Sequence, residues 1–155
     1  MEQADAPISL DQLDRTIINE LQEDGRRPYT EIGKRLGVSE ATVRKRVARL
    51  QHRGALQIVA AVDPLALGYI RAEVSIRVRG PSARTVADRL EKIPEVSYME
   101  LTLGEYDLSI SLTCRDTKHL TSVLNDEVRA VPGVESVYAT LVLEVLKDVY
   151  DWAPD

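Results

Sequence analysis

Leu36-Gly37-Val38-Ser39-Glu40-Ala41-Thr42-Val43-Arg44-Lys45-Arg46-Val47-Ala48-Arg49-Leu50 is the stretch that decides the fold of the first part of the chain. Gly37 can take the left-handed conformation that ends a helix. Ser39 is a natural N-cap for the helix that follows. Two helices joined by a three-to-four-residue turn containing Gly make a helix-turn-helix. The second of them is predicted from about Glu40 to Arg53, burying Val43, Val47 and Leu50. At about 100° per residue, its opposite side carries Ala41, Lys45, Ala48 and Arg49. Arg44 lies on one flank, and Thr42, Arg46 and Arg53 lie on the other. Two alanines permit close approach to a groove, with long basic side chains beside them. That pattern suits a recognition helix entering the major groove of double-stranded DNA, N-terminus first. The expected DNA contacts are Ser39, Ala41, Thr42, Arg44, Lys45, Arg46 and Arg49. Arg and Lys would read guanine O6 and N7, and Thr42 a base edge or a thymine methyl.

Upstream, Leu13, Ile17, Ile18 and Leu21 recur at helical spacing, predicting a helix from about Leu10 to Glu23 that Gly25 ends. Pro28 opens a short helix with Ile32 and Leu36 on one face. Between Arg26 and Arg53, nine basic residues face two acidic ones, a local excess of +7 in a chain of net charge -5. One concentrated basic block in an acidic protein reads as a patch for one polyanionic partner. A solvated helix face is the alternative. After Gly54, the β-prone run Ala55 to Val62 fits a wing or connecting strand, and Asp63-Pro64 stops it. Pro64 to Tyr69 reads as a hinge. The expected division is therefore 1–63 and 64–155.

The chain has 155 residues, 44% apolar and 29% charged, as a soluble globular protein does. It has no apolar run of about 18 residues, so no membrane span is expected. The acidic start, Met1-Glu2-Gln3-Ala4-Asp5, is unlike a signal peptide. One cysteine, Cys114, allows no internal disulfide and no CxxC pair, which suits a reducing cytoplasm. With two histidines there is little material for a metal site, and no cofactor is expected.

The second half repeats itself. Ile93-Pro94-Glu95-Val96 and Val131-Pro132-Gly133-Val134 lie 38 residues apart, each between an amphipathic helix and a strand. The helices, about Ala83–Ile93 and Thr117–Val131, bury Val86, Leu90 and Ile93, and Leu120, Val123, Leu124, Val128 and Val131. Ala72, Val74, Ile76 and Val78 alternate with polar residues, as do Leu108, Ile110, Leu112 and Cys114. The order β-α-β-β-α-β is a split βαβ, or ferredoxin-like, unit, so the fold class is α+β. The last strand, Val137 to Leu146, reads as apolar on both faces, with Ala139, Leu141, Leu143 and Val145 on one and Val142 and Leu146 on the other. A strand buried on both faces needs cover on both. A second subunit or the chain's own N-terminal helices would supply it.

The whole chain, from about Leu10 to Lys147, resembles the Lrp/AsnC family of bacterial and archaeal feast/famine regulators. The match is carried by Leu13-Asp14-Arg15-Thr16-Ile17-Ile18-Asn19-Glu20-Leu21-Gln22-Glu23-Asp24-Gly25-Arg26, Leu36-Gly37-Val38-Ser39, Arg46-Val47-Ala48-Arg49-Leu50 and Arg53-Gly54, and by the turn Gly104-Glu105-Tyr106-Asp107. The resemblance implies a winged helix-turn-helix on a ferredoxin-like domain that binds a small effector, typically an amino acid, near that turn. It also implies homodimers that often assemble into octamers. Two departures stand out: Ala55-Leu56 replaces a usual Val-Ile, and Tyr138-Ala139-Thr140 replaces a usual Thr-x-Thr, so Thr140 alone carries over as a candidate site residue.

At the turn, Gly104 is explained by a hairpin that needs positive φ. Tyr106 and Asp107 can present an aromatic wall and an acceptor for an ammonium group. Asp107 has a second reading, as a cap of turn amides. Glu105 is the other carboxylate of the turn. Met99, Leu101 and Leu103 line the pocket or are ordinary strand core. The function expected is a DNA-binding transcriptional regulator under effector control. One alternative is an enzyme of the sirohaem decarboxylase type, which needs histidine in the pocket; His52 and His119 both lie away from the turn. The other is a ligand-binding module that no longer binds DNA, against which the basic block argues.

Overall fold

A computed structural model describes residues 8–148. The ends of the two expected spans, 1–7 and 149–155, lie outside the described residues. The chain forms two compact units, one reaching Ala61 and the other Val62–Leu146, with Lys147 and Asp148 grouped with the first.

In the first unit, Asp11 caps α1 (Gln12–Glu23) through a reciprocal capping box. The Asp14 N–H donates to Asp11 Oδ1 at 2.9 Å and the Asp11 N–H to Asp14 Oδ2 at 3.1 Å. Pro28 precedes α2 (Tyr29–Leu36), and Ser39 caps α3 (Glu40–His52), its Oγ accepting from the Thr42 N–H at 3.1 Å. Gly37 sits at φ 67°, and the Val38 N–H reaches back to the Gly33 carbonyl at 2.9 Å, a Schellman ending. A Cβ on Gly33 would lie 2.7 Å from the Val38 carbonyl oxygen, so α2 and the turn meet only across a glycine. Ile17, Leu21, Ile32, Val43 and Val47 form the core, with Leu13, Tyr29, Leu36, Val38 and Leu56 packed at its margin.

Two expectations for this unit are corrected. α1 ends at Glu23 as expected, but the residue that ends it is Asp24 rather than Gly25. Asp24 is in extended conformation, and its carboxylate accepts the Arg26 N–H at 2.9 Å, an Asx turn that needs no positive φ. There is also no wing: Ala55 to Val62 joins no sheet among the described residues. A strand needs a backbone partner, and the helices of this unit already satisfy their own amides. Leu56 packs on the core, while Ile58, Val59 and Val62 stay exposed.

The second unit runs β1 (Ile70–Val78), α4 (Ala83–Leu90), β2 (Val96–Leu101), β3 (Leu108–Cys114), α5 (Thr117–Ser122, continuing as a π-helical turn over Val123–Val128) and β4 (Val134–Val142). The sheet order is β2-β3-β1-β4, every neighbouring pair antiparallel, as the βαββαβ reading predicts. Register places Ala72, Val74 and Ile76 beside Leu112, Ile110 and Leu108 on one side and Leu141, Ala139 and Val137 on the other. This face meets Val86, Leu90, Leu120, Val123 and Val128 of the helices. α4 is shorter than predicted, and Ile93 is buried in the turn after it. The opposite sheet face is polar: Glu73 accepts from Ser111 Oγ at 2.6 Å and from Arg71 Nε at 2.9 Å.

The last strand is also corrected. It begins at Val134 and stops at Val142, so Leu143 to Leu146 lie beyond the sheet. β1 begins at Ile70 and Arg71 already pairs with Val142, which leaves only one further residue of β1 to neighbour them. Leu141 is 39% exposed and Leu143 and Leu146 are each 88% exposed, so they lack cover from the described residues.

Both units start a helix with an aspartate held ionised. Asp11 lies below its ordinary value of 3.8, first through the Asp14 amide and then through Arg46. Asp116, which caps α5, is lowered chiefly by the His119 amide. Carboxylates depressed in the folded state contribute stability above the unfolded value, lost as pH falls through the folded one. The urea midpoint is therefore expected to drop on acidification below 3.8. Asp11→Asn with Asp116→Asn, which keeps side-chain caps, should flatten that drop; an unchanged acid limb would refute the assignment.

Candidate functional site

The outward side of α3 is a shallow concave strip lined by Ser39, Glu40, Ala41, Arg44, Lys45 and Ala48. The helical period that buries Val43, Val47 and Leu50 turns these residues to solvent. Ala41 and Ala48 leave the floor of the strip low. Lys45 is exposed and has no ion pair or hydrogen bond among the described residues. Arg44 is 65% exposed, pairs with Glu40 one turn back, and sits 5.5 Å above the Tyr29 ring of α2. Thr42 is half-buried, its Oγ1 2.9 Å from Ser39 Oγ.

Arg46 and Arg49 do not belong to this strip. Arg49 Nη2 pairs with Asp14 Oδ2; Arg46 Nη1 pairs with Asp11 and lies 3.2 Å from Asp14 Oδ1. Hydrogen bonds to Asp11 and then Asp14 raise the Arg46 pKa above its ordinary value. The reason is Asp14, a completely buried residue of α1, whose carboxylate needs partners and takes both arginines. Elsewhere in the block Arg27 pairs with Glu20 and Glu23, and Arg35 with Glu20 and Glu31. Acids of α1, outside the window of the +7 count, therefore neutralise much of it. The side chains of Arg26, Lys34 and Lys45 remain unpaired among the described residues.

In the second unit the β2–β3 loop is closed by Thr102, whose N–H donates to the Asp107 carbonyl at 3.0 Å and whose Oγ1 donates to the Tyr106 carbonyl at 2.7 Å. The Asp107 N–H donates to the Ile76 carbonyl at 3.0 Å, and Asp107 Oδ2 accepts from the Val78 N–H at 2.7 Å. The pairing of β1 with β4 shifts register between Arg77 and Val78 at this point. Asp107 Oδ2 thus clamps the end of β1, which is the second of its two readings, as a cap of backbone amides. Asp107→Ala should cost about 1.5–3 kcal/mol, the worth of a hydrogen bond to a charged group. Thermal denaturation without ligand checks this; an unchanged melting temperature would contradict the clamp.

Gly104 is corrected too. Its φ is not positive, and a Cβ there would meet nothing within 4 Å. The loop spans Thr102 to Asp107, too long to need a left-handed residue at that point. Gly104, Glu105 and Tyr106 instead line a concavity with Ser75, Glu100, Thr102 and Ser109 on the polar sheet face. Arg77 holds its rim, with Nε 3.2 Å from the Glu105 carbonyl, Nη2 3.2 Å from Glu105 Oε1 and its guanidinium 5.7 Å from the Tyr106 ring. The Tyr98 hydroxyl donates to Glu100 Oε2 at 3.0 Å, which raises the Tyr98 pKa. Met99 packs on the helix-side core, Leu101 pairs with Leu108 on that same side, and Leu103 is fully exposed in the loop. Thr140 faces Glu73 across β1 from the loop and does not line the concavity. Ser75, Glu100, Thr102 and Ser109 were missed. Strand alternation put Ser75 and Ser109 on the polar face, but no local signal showed that this face is hollow beside the loop.

No described helix is long and apolar enough to cross a membrane. Residues 10–51 match the model of the AsnC-type helix-turn-helix domain, and residues 71–151 that of the Lrp/AsnC ligand binding domain. The HTH-type transcriptional regulator FL11 of Pyrococcus abyssi is 36% identical over 143 residues, 91% of this chain and 94% of that protein. The leucine response regulatory protein LrpA of Mycobacterium tuberculosis is 30% identical with a TM-score of 0.84, covering 94% of this chain and 100% of that one. A transcriptional regulator of Neisseria meningitidis solved in complex with L-Met is 25% identical with a TM-score of 0.78, covering 93% and 96%.

Proposed function

The chain belongs to the Lrp/AsnC family of transcriptional regulators, and from that premise we propose which surfaces perform its two tasks. It is a regulator rather than an enzyme, with a DNA-binding helix-turn-helix domain and a ligand-binding domain. In this reading 1–63 act on DNA and 64–155 bind the effector and assemble. Contacts to double-stranded DNA come from Ser39, Ala41, Thr42, Arg44 and Lys45, while Arg46 and Arg49 lock α3 to α1. The observation that carries it is Lys45. Among the described residues it stands unpaired beside two exposed alanines, while the arginines of α3 are engaged. Fluorescence anisotropy with duplex from the protein's own upstream region, titrated with salt, tests this. Binding whose log K falls linearly with log salt supports it; absence of binding at low salt refutes it.

The effector we assign is an amino acid, seated against Gly104, Glu105 and Tyr106 with Glu100, Ser75 and Ser109. Two carboxylates suit an ammonium group, the Ser75 and Ser109 hydroxyls suit a carboxylate, and Tyr106 gives an apolar wall. The relative solved with L-Met makes methionine the first compound to try. A thermal-shift screen of the amino acids should find one adding about 2.7 kcal/mol at 100 times its Kd; a screen without any shift refutes the amino-acid assignment. The assembly we propose is a homodimer, built further into an octamer, supported by the uncovered Leu141, Leu143 and Leu146. A dimer would place two recognition helices about 34 Å apart on a pseudo-palindromic operator. Its place of work in this reading is the cytoplasm. A monomer in sedimentation at micromolar concentration would refute the assembly.

A further inference from the structure

Glu40 is an acid on the DNA-facing side of α3, a surface that should repel one. It lines the strip between Ser39 and Ala41, one turn before Arg44, and its carboxylate pairs with the Arg44 guanidinium. Against phosphate an unprotonated carboxylate is unfavourable. In the major groove it becomes favourable where a base offers an amino group, and cytosine N4 is the usual donor to Glu. Arg44 has the opposite need. Of its five N–H donors Glu40 engages one through Nη2, leaving a fork able to meet guanine O6 and N7. The Tyr29 ring 5.5 Å away limits the directions the guanidinium can take, and Ala41 and Ala48 keep the approach open.

Resting on the DNA-contact reading above, we propose that Glu40 and Arg44 act as one coupled reader of G·C pairs in each operator half-site. Arg44 takes guanine acceptors, Glu40 takes a cytosine amino group of the same or the adjoining pair, and Tyr29 of α2 is the positioning residue for Arg44. The pair discriminates twice. Guanine and cytosine satisfy both partners, whereas A·T pairs leave Arg44 with fewer acceptors. Non-specific DNA, met through phosphates, leaves Glu40 repelled. Lys45, with no such acid partner, supplies affinity without sequence preference.

Selection of the full-length protein on a randomised duplex library, with binding constants for the winning duplex and its point variants, tests this. The wild type should enrich a G·C pair at one position of each half-site, or two adjoining ones, and discriminate against A·T there by about 5- to 150-fold. Arg44→Ala should erase that preference while leaving the other positions of the site in place. Glu40→Gln should bind non-specific DNA more tightly and lose the cytosine preference, exchanging it for adenine where the two bases lie in adjoining pairs, since Gln pairs bidentately with adenine N6 and N7. Tyr29→Leu should weaken the discrimination, and Tyr29→Phe, which keeps the ring, should restore it. A merely structural role for Tyr29 would change melting temperature and overall affinity but not base preference. If the wild type enriches an operator and Arg44→Ala and Glu40→Gln retain its base preferences, the coupled reader is overturned while DNA binding stands. If the wild type binds no duplex at low salt, the DNA-contact reading falls and this proposal falls with it.

Discussion

Asp14→Ala is expected to be among the most destabilising single substitutions in the N-terminal unit, costing about 3 kcal/mol. Removing one partner of a buried ion pair typically costs about 3–5 kcal/mol. The lower end applies because Arg46 and Arg49, 31% and 44% exposed in their side chains, can turn to water once released. Three things are lost together: the tie from α1 to Arg49, the tie to Arg46, and the carboxylate that accepts the Asp11 N–H in the capping box. Against a total stability of about 5–15 kcal/mol, that loss should be plain in urea unfolding. Asp14→Asn keeps an acceptor and should fall between wild type and alanine. A wild-type midpoint for Asp14→Ala would mean that the buried carboxylate contributes nothing net, and the account of α1 as an anchor for α3 would be wrong.

Asp14 also marks the limit of what is legible in the sequence. Val43, Val47 and Leu50 announce α3 by their period, and Gly37 and Ser39 announce its beginning, because a helix stripe, a left-handed stop and an N-cap are local signals. The βαββαβ order is legible for the same reason, from alternation in β1 and β3 and the repeated Ile93 and Val131 turns. Ion pairing is not local. Asp14 meets Arg46 and Arg49 across 32 and 35 residues, and a window count of charge cannot see which cations an acid elsewhere neutralises. β4 fails differently. Leu143 to Leu146 look like strand because they are apolar and β-prone, yet a strand lasts only as long as its neighbour, and β1 runs out at Ile70.

The candidate effector site was half legible. The Gly104–Tyr106 loop is where the concavity lies, but the reason assigned to each residue changed. Asp107 has its carboxylate turned to the Val78 amide at the register shift of β1, a demand set by the fold and absent from the turn's own sequence. Glu100 and Ser109 escaped notice because alternation marks them simply as solvent-facing. Only their register, Glu100 opposite Ser109, brings them together beside the loop.

The pairing seen for α3 inverts the result expected of its arginines. Arg44→Ala with Lys45→Ala should lower operator affinity by at least about 100-fold, some 2.8 kcal/mol at about 1.4 kcal/mol per tenfold, with melting temperature close to wild type. Lys45 has no hydrogen-bond or ion-pair partner among the described residues, and Arg44 pairs with the partly exposed Glu40 and lies over the Tyr29 ring, so truncating both exposes no buried charge. Part of the loss should be electrostatic: neutralising fewer phosphates makes the slope of log K against log salt shallower. Arg46→Ala with Arg49→Ala should do the reverse, leaving the Asp14 carboxylate buried without its arginines and lowering the melting temperature first. DNA binding by that second variant, measured well below its melting temperature, should retain the operator's base preferences. Anisotropy and thermal denaturation on the two variants separate the cases. Should Arg46→Ala with Arg49→Ala keep the wild-type melting temperature and lose the operator, those arginines must leave Asp14 to reach DNA, and the exposed strip of α3 would be wider than Ser39 to Ala48.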